Sequence, residues 1–288
     1  MLVSERIGQL FVESDGGRDR LEYTEYGSGD EWVVLLHGLL MPRRMQQPLA
    51  RAMAARGLHV VTLDLLGHGR SDQPADPLVY SMTAFGEQVV ALLDHLGAEQ
   101  AVIGGSSLGA NVALEVAVIA PERVRGLVIE MPVLDNALVA GILAFVPIML
   151  TARYLPFTAN ALQRAARSVP RGLVPFWAGV ALDTVDHRAE TTAAMLHGVI
   201  FGRVAPSTRQ RRGIQAPTLV VGHPVDPIHP FVDADMLAAE LPHVRMERAS
   251  SILEWRFRPE RLTAAATDFA LDCWAPAREP RAARRRKR

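Results

Sequence analysis

The pentapeptide Gly105-Ser106-Ser107-Leu108-Gly109 is the part of this chain best suited to chemistry. It stands between an apolar run at 101–103 and a helical pattern over 110–117, which predicts a sharp turn from a strand to a helix. Such a turn strains the residue between the two glycines and exposes its side chain at the edge of a sheet. Ser107 has these glycine flanks and Ser106 does not. We therefore predict that Ser107 is a nucleophile; the other interpretation is a glycine-rich turn in an ordinary α/β domain.

Three further motifs follow apolar runs along the chain. His37-Gly38-Leu39-Leu40 follows the run 32–36, Asp64 to Asp72 follows the run 59–63, and Asp226-Pro227-Ile228-His229-Pro230 follows the run 217–222. Together with the pentapeptide, and in this order, they resemble the motifs of the α/β-hydrolase fold family over residues 7 to 274. The resemblance implies an α/β fold with a mostly parallel, doubly wound sheet and an inserted helical cap. It does not specify a reaction.

The alternation of strand and helix patterns supports the same fold class. After a hairpin from residues 7–14 and 20–26, we expect strands at 32–36, 59–64, 101–106, 126–131, 217–222 and 244–249, with helices between them. The predicted organisation is a hydrolase core in two parts (1–132 and 213–275), a helical cap (133–212) and a disordered basic tail (276–288). The cap segment 137–152 carries no charge. It is too short to span a bilayer, and a proline interrupts it. We expect a buried helix there, which either lines an apolar pocket or only packs the cap on the sheet.

The family resemblance assigns roles to several residues. The backbone amides of Leu39 and Leu108 would bind the oxyanion, and His37 would brace the loop that carries Leu39. Asp226 would be the acid that orients a histidine, although an aspartate before a proline also caps turns. Glu130, at the end of the strand after the pentapeptide helix, is a second choice for the acid.

The histidine that the family uses as its general base is missing. It belongs in the loop after the last strand, where this chain has Ser251 and Ile252, and no histidine follows His243. Serine is a weak nucleophile without an adjacent base. His229, three residues after Asp226, is a candidate replacement, and His68, His197 and Glu254 are weaker ones.

These residues predict a serine hydrolase of esterase, lipase or thioesterase type with a non-standard or deficient triad, acting on a small apolar acyl substrate. Two alternatives stay open: a ligand-binding protein on the same scaffold that has no activity, and a lyase or cyclase that uses the pocket and the oxyanion amides alone. No metal-ligand cluster or nucleotide fingerprint is visible, so neither a metal nor a cofactor is expected.

Composition adds the remaining expectations. The net charge is zero, but residues 278–288 hold seven basic residues and one acid, leaving 24 basic against 30 acidic residues elsewhere. This tail suggests a weak contact with an anionic surface, or simply solvated charge, and no specific nucleic-acid partner.

Residues 1–17 lack the apolar core of a signal peptide, which favours a cytoplasmic location. The single cysteine, Cys273, is expected to be a buried structural residue.

Overall fold

The computed structural model describes residues 3–14 and 17–276. Its centre is an eight-stranded sheet in the order β1-β2-β4-β3-β5-β6-β7-β8. The first hairpin and the β2–β4 pair are antiparallel, and all other neighbouring strands are parallel. The strands are β1 Glu5–Ser14, β2 Gly17–Tyr26, β3 Trp32–Leu36, β4 His59–Leu63, β5 Ala101–Ser106, β6 Val124–Glu130, β7 Thr218–Gly222 and β8 Val244–Arg248. Those expected from the sequence begin and end within three residues of these bounds.

Helices cover both faces of the sheet, so the central strands are buried on both sides. Along β3, Val34 and Leu36 belong to one apolar cluster with side chains of α2 (Met82–Leu96), α3 (Leu108–Ile119) and α9 (Phe231–Glu240). Val33 and Leu35 belong to another, with side chains of α1 (Gln47–Ala54) and α11 (Glu260–Trp274). This alternation confirms the doubly wound arrangement. The helices are α1 Gln47–Ala54, α2 Met82–Leu96, α3 Leu108–Ile119, α4 Leu138–Tyr154, α5 Pro156–Ser168, α6 Phe176–Thr184, α7 Ala189–Phe201, α8 Thr208–Arg212, α9 Phe231–Glu240, α10 Glu254–Phe257 and α11 Glu260–Trp274.

The chain leaves the sheet after β6 and returns at β7, and α4 to α8 lie in this insertion. Two buried polar side chains hold its ends. Asn111 on α3 donates to the carbonyl oxygens of Val133 and Val204, at 2.7 and 2.8 Å. Asp233 on α9 accepts the backbone amides of Leu134 and Ala137, at 2.8 and 3.0 Å. The insertion is therefore fastened beside the helix that begins at Ser107, while the domain limits 133 and 212 stay a prediction.

The expectation of a buried helix at 137–152 was wrong. In α4 only Ala152 is buried, and Val139 and Leu143 are 68% and 72% exposed. The reason is that α4 packs on its neighbours along one side only, so the lack of charge in its sequence does not translate into burial. Cys273 is likewise half-buried rather than buried, because it lies in the last turn of α11 against Gly126.

Among the described helices, none is by itself both long and apolar enough to cross a membrane; only the pair α4 and α5, bent by 104° at their junction, meets the length and composition criteria together. The tail predicted at 276–288 lies outside the described residues apart from Pro276, so its predicted role is not tested.

Candidate active site

Ser107 occupies a strained turn between β5 and α3. Its backbone has φ 55° and ψ −113°, in the left-handed half of conformational space that most residues avoid. The two flanking glycines are there for steric reasons. A Cβ on Gly105 would lie 2.3 Å from the backbone of Gly109, and a Cβ on Gly109 would lie 2.6 Å from the carbonyl oxygen of Leu36. The pentapeptide therefore forms the tight turn that the sequence predicts, with the Ser107 side chain partly exposed.

A chain of hydrogen bonds links Ser107 to the loop after β7. Its Oγ lies 2.8 Å from Nε2 of His229, and Nδ1 of the same ring lies 3.0 Å from Oδ2 of Asp226. The structure thus brings together three of the residues singled out in the sequence, including the histidine of the non-standard alternative. Serine, imidazole and carboxylate in this order are the arrangement that activates a hydroxyl as a nucleophile.

The hydrogen bonds of Asp226 show how an acid and a histidine only three residues apart can both act on the same serine. Its Oδ1 accepts the backbone amides of Ile228 and His229, at 2.8 and 2.9 Å, in a turn closed by the side chain. This leaves Oδ2 free to hold the imidazole. Burial by itself raises the pKa of Asp226, but the hydrogen bonds from His229 and from the amide of Ile228 outweigh it and lower the pKa. The carboxylate therefore stays charged beside the ring.

Of the two residues whose amides are proposed to bind an oxyanion, Leu108 directly follows Ser107 and Leu39 lines the same cavity. Leu108 is the first residue of α3, where an amide has no partner inside the helix. Leu39 lies in the turn after β3, and both residues line the same cavity as Ser107 and His229. Within the described residues neither amide donates a hydrogen bond, so both are available to a ligand. His37 braces this loop: Nδ1 donates to the carbonyl of Gly38 at 2.9 Å, and Nε2 accepts the amide of Leu65 at 3.0 Å.

Backbone strain is concentrated around this edge of the sheet. Besides Ser107, the described residues other than glycine that have positive φ are Leu40, Met131 and Val225, at 63°, 53° and 59°. They follow β3, β6 and β7, whose carboxyl ends surround the Ser107 turn. Such strain persists only where surrounding structure enforces it, and it is typical of functional sites.

The reactive groups open into an apolar cavity of about 370 Å³ between the sheet and the insertion. Leu134, Leu138, Ile142 and Phe145 of the insertion contribute to its wall, so the cap segment does line a pocket even though it is not buried. The volume lies in the range of small-molecule sites.

Glu130, the second-choice acid, does not contact His229. It accepts a hydrogen bond from Ser106, lies 3.0 Å from Nε2 of His223 and accepts from Arg256 at 2.8 Å. Burial raises the pKa of Glu130, but the Arg256 guanidinium and His223 hold it far below its ordinary value. This buried ion cluster ties together the ends of β5, β6 and β7 beneath the active site. His223 and Arg256 are not among the residues predicted from the sequence, because no motif marks them.

The remaining candidates lie elsewhere. Ser251 and Ile252 do not line the cavity, and the carbonyl of Ser251 accepts from His223 at 3.1 Å. His197 lies on α7 against Phe201, beside a different cavity. Glu254 is bound by Arg261 and has a pKa lowered to about 2, which makes it a poor base.

His68 belongs to a buried histidine cluster between the core and the insertion. Its ring centre lies 4.5 Å from that of His37 and 6.0 Å from that of His187. In His68 and His187, Nδ1 donates to a backbone carbonyl, and the buried Nε2 has no partner among the described residues. Burial lowers the pKa of all three rings, so the fold holds them neutral.

This cluster predicts that acid destabilises the protein already near pH 6. At these three histidines the unfolded chain takes up protons below about pH 6.5, whereas the folded chain holds the rings neutral to a lower pH. The free energy of unfolding should therefore fall as the pH falls, by up to about 1.4 kcal/mol per pH unit for each histidine that stays neutral. Urea unfolding between pH 7 and 5 measures this slope. His68→Gln should make it shallower, whereas His95→Gln, on the outer side of α2, should not; equal slopes in all three proteins would contradict the prediction.

Comparison with known proteins agrees with this fold. A family model described as the alpha/beta hydrolase fold matches residues 31–251. The sequence is 36% identical to bifunctional epoxide hydrolase 2 of Sus scrofa over 109 residues, which are 37% of this chain and 19% of that protein. It is 44% identical to 2-hydroxymuconate semialdehyde hydrolase of Pseudomonas putida over 70 residues, 24% of this chain and 25% of that protein. The chain thus spans about a quarter or less of these curated relatives.

Among solved structures, a thermophilic esterase from Thermogutta terrifontis superposes with a TM-score of 0.74. The superposition covers 93% of this chain and all of that one, at 22% sequence identity. At this level of identity the likeness supports the fold and leaves the reaction to be argued from the site.

Proposed function

Because this chain belongs to the alpha/beta hydrolase fold family, we propose that it is a serine hydrolase that cleaves esters or thioesters of apolar acyl groups. One observation carries the proposal: Asp226, His229 and Ser107 form a continuous hydrogen-bonded chain that ends in an apolar cavity. It favours the non-standard triad over the deficient one, since a base lies within hydrogen-bonding distance of the nucleophile.

The first half-reaction transfers the acyl group to the enzyme. Ser107 Oγ attacks the acyl carbonyl carbon while its proton passes to Nε2 of His229. Asp226 stabilises the imidazolium through Nδ1, and the amides of Leu39 and Leu108 stabilise the negative oxygen of the tetrahedral intermediate. When this intermediate collapses, the bond to the leaving oxygen or sulfur breaks and His229 donates its proton to that atom. The alcohol or thiol departs and an acyl ester of Ser107 remains.

The second half-reaction uses water with the same groups. His229 takes a proton from the water as its oxygen attacks the acyl carbon, and the same two amides hold the oxyanion. Collapse breaks the bond between that carbon and Ser107 Oγ, and His229 returns the proton to Oγ. The products are a carboxylic acid and free enzyme.

The preference for an apolar acyl group rests on the cavity wall. Met82, Leu134, Phe145 and Val199 line it together with the reacting groups. Apolar surface removed from water contributes about 25 cal/mol per Å² to binding, so longer apolar acyl chains should bind better until the cavity is full. The absence of a base in the expected loop is the reason for the alternative of a purely ligand-binding role, and the position of His229 supports the catalytic proposal over it.

Labelling with a fluorophosphonate, read by intact and peptide mass spectrometry, tests the proposal. We expect one adduct per chain, on Ser107, because the reagent phosphonylates only an activated serine. Ser107→Ala should prevent labelling, and Ser250→Ala is the matched control that should not. No adduct on wild-type protein, or an adduct on another serine, would refute the proposal.

A further inference from the structure

The outer face of the insertion carries a stripe of exposed apolar side chains, here called the apolar cap stripe. On α4 the side chains of Val139, Leu143 and Tyr154 are 68%, 72% and 73% exposed, and Leu150 is exposed beside them. These positions are separated by four, seven and four residues, a spacing that keeps them on one side of a helix. Phe157, near the start of α5 beyond the bend, is also 79% exposed, and we count it as part of the stripe.

The opposite side of α4 faces the candidate active site. Leu138, Gly141, Ile142 and Phe145, spaced three, one and three residues apart, line the cavity that holds Ser107. One helix therefore separates the reactive groups from an exposed apolar surface. Large exposed apolar patches on proteins mark surfaces that bind a partner or a membrane.

The sequence segment that carries the stripe has charge of one sign, although Glu190 of α7 lies beside it. From 136 to 182 the sequence contains four arginines, Arg153, Arg164, Arg167 and Arg171, and no acidic residue. Arg167 and Arg171 are paired with aspartates that follow this segment. Arg153 and Arg164 are exposed and form no ion pair among the described residues. An apolar stripe bordered by unpaired arginines is complementary to an anionic lipid surface.

A second cavity opens beside the stripe. It measures about 730 Å³ and lies between the α4–α5 bend and α7, with Met149, Leu150, Arg153, Tyr154 and Phe201 in its wall. The wall is largely apolar and carries both Arg153 and the carboxylate of Glu190, so the cavity can accept an apolar chain but does not by itself select a negative head group.

We propose that the apolar cap stripe docks this protein on the surface of a bilayer rich in anionic phospholipid. The stripe would enter the boundary between head groups and acyl chains, and its arginines would bind lipid phosphates. The next step rests on the proposed function. In the docked orientation, the α4 wall of the active-site cavity lies near the lipid, so an apolar ester can pass from the lipid into that cavity.

Two other occupants fit less well. A second copy would present the same segment, with four arginines and no acid between 136 and 182, so the two faces would lack complementary charge. Half of the chain's own residues 277–288 are arginine, and this stretch has no apolar side chain beyond alanine and proline, so it offers nothing to cover the stripe.

The test uses the full-length protein and vesicles of equal parts phosphatidylglycerol and phosphatidylcholine. Leu143→Trp introduces a fluorescent probe into the stripe, and Ile7→Trp, on β1 at the far edge of the sheet, is its control. With brominated acyl chains in the vesicles, we expect the added emission of Leu143→Trp to be quenched and blue-shifted and that of Ile7→Trp to be unaffected. Equal responses from the two probes would overturn the proposal.

Binding measurements separate the apolar contribution from charge, including the charge of the basic tail. In vesicle flotation at high salt, Leu143→Ser and Phe157→Ser should each lower the partition coefficient about tenfold or more, and Ile7→Ser should leave it unchanged. At low salt, Arg153→Gln with Arg164→Gln should weaken binding to the mixed vesicles but not to phosphatidylcholine alone. Wild-type binding in the serine variants would overturn the proposal, as would a concentration-dependent dimer that Leu143→Ser abolishes.

Hydrolysis of dissolved p-nitrophenyl butyrate keeps this proposal distinct from the proposed function. The stripe variants should hydrolyse the soluble ester at the wild-type rate, because neither Leu143 nor Phe157 lines the active-site cavity. Wild-type protein that binds vesicles but hydrolyses nothing would refute the proposed function alone. Wild-type protein that hydrolyses the ester but ignores the vesicles would refute the docking alone.

Discussion

Ser107→Ala is expected to lower the turnover of p-nitrophenyl butyrate by about 10⁴- to 10⁶-fold, to the level that the oxyanion amides and binding leave behind. The methyl group cannot attack the carbonyl, while His229 and both amides stay in place. The melting temperature should change little. The Ser107 side chain is only half-buried, and alanine and serine tolerate the positive φ at this position about equally. Steady-state kinetics and thermal unfolding measure the two quantities.

Ser250→Ala is the control for this experiment, since Ser250 is exposed in the loop after β8 and does not line the cavity. It should retain wild-type turnover.

Ser106→Ala provides a further comparison, because it removes a hydrogen bond to Glu130 and leaves the nucleophile present. It should lower the free energy of unfolding more than Ser107→Ala does. Turnover that survives Ser107→Ala would contradict the serine mechanism altogether.

His229→Ala is expected to lower turnover by about 10⁴-fold or more and to slow fluorophosphonate labelling in parallel. Without Nε2 at 2.8 Å, nothing in the described site accepts the proton of Ser107, and an unassisted serine hydroxyl is a weak nucleophile. His197→Ala is the matched control, because that histidine lies beside another cavity and should be dispensable. An unchanged rate in His229→Ala would show that His229 is not the base.

Introducing a histidine after β8 distinguishes the non-standard triad from the deficient one. If the triad were deficient, Ser251→His or Ile252→His would raise a low wild-type rate, and His229→Ala would then matter little. If His229 is the base, the added histidine brings no large gain, and removing His229 still costs most of the rate. The same ester assay on the single and double variants decides between them.

Much of the fold could be derived from local patterns. The strands are apolar runs bounded by turn residues, and each lies close to its predicted limits because a parallel sheet buried on both faces requires such runs. The choice of Ser107 over Ser106 was likewise local, since it depends on which serine has Gly105 and Gly109 at its flanks. Backbone contacts of 2.3 and 2.6 Å that any side chain would make at these positions explain why glycine is needed.

Local patterns failed where burial and contact depend on distant parts of the chain. The uncharged sequence of α4 suggested a buried helix, yet its outer face has no neighbour within the described residues and stays exposed. The position of Glu130 at the end of a strand makes it a candidate for the catalytic acid. Its partners Ser106, His223 and Arg256 come from three other segments, and they assign it to a buried ion cluster instead.

The sequence by itself determined the doubly wound fold and the Ser107 turn, because apolar periodicity and glycine spacing act over a few neighbouring residues. Only the tertiary structure decided which histidine meets Ser107. Asp226 and His229 are neighbours in the chain, but the serine lies 122 positions away, and its distance from the imidazole depends on how β5 and β7 are placed in the sheet. The turn closed by Asp226 then directs the imidazole ring toward Ser107. The distance between Nε2 of His229 and Oγ of Ser107 cannot be predicted from the sequence of either segment alone.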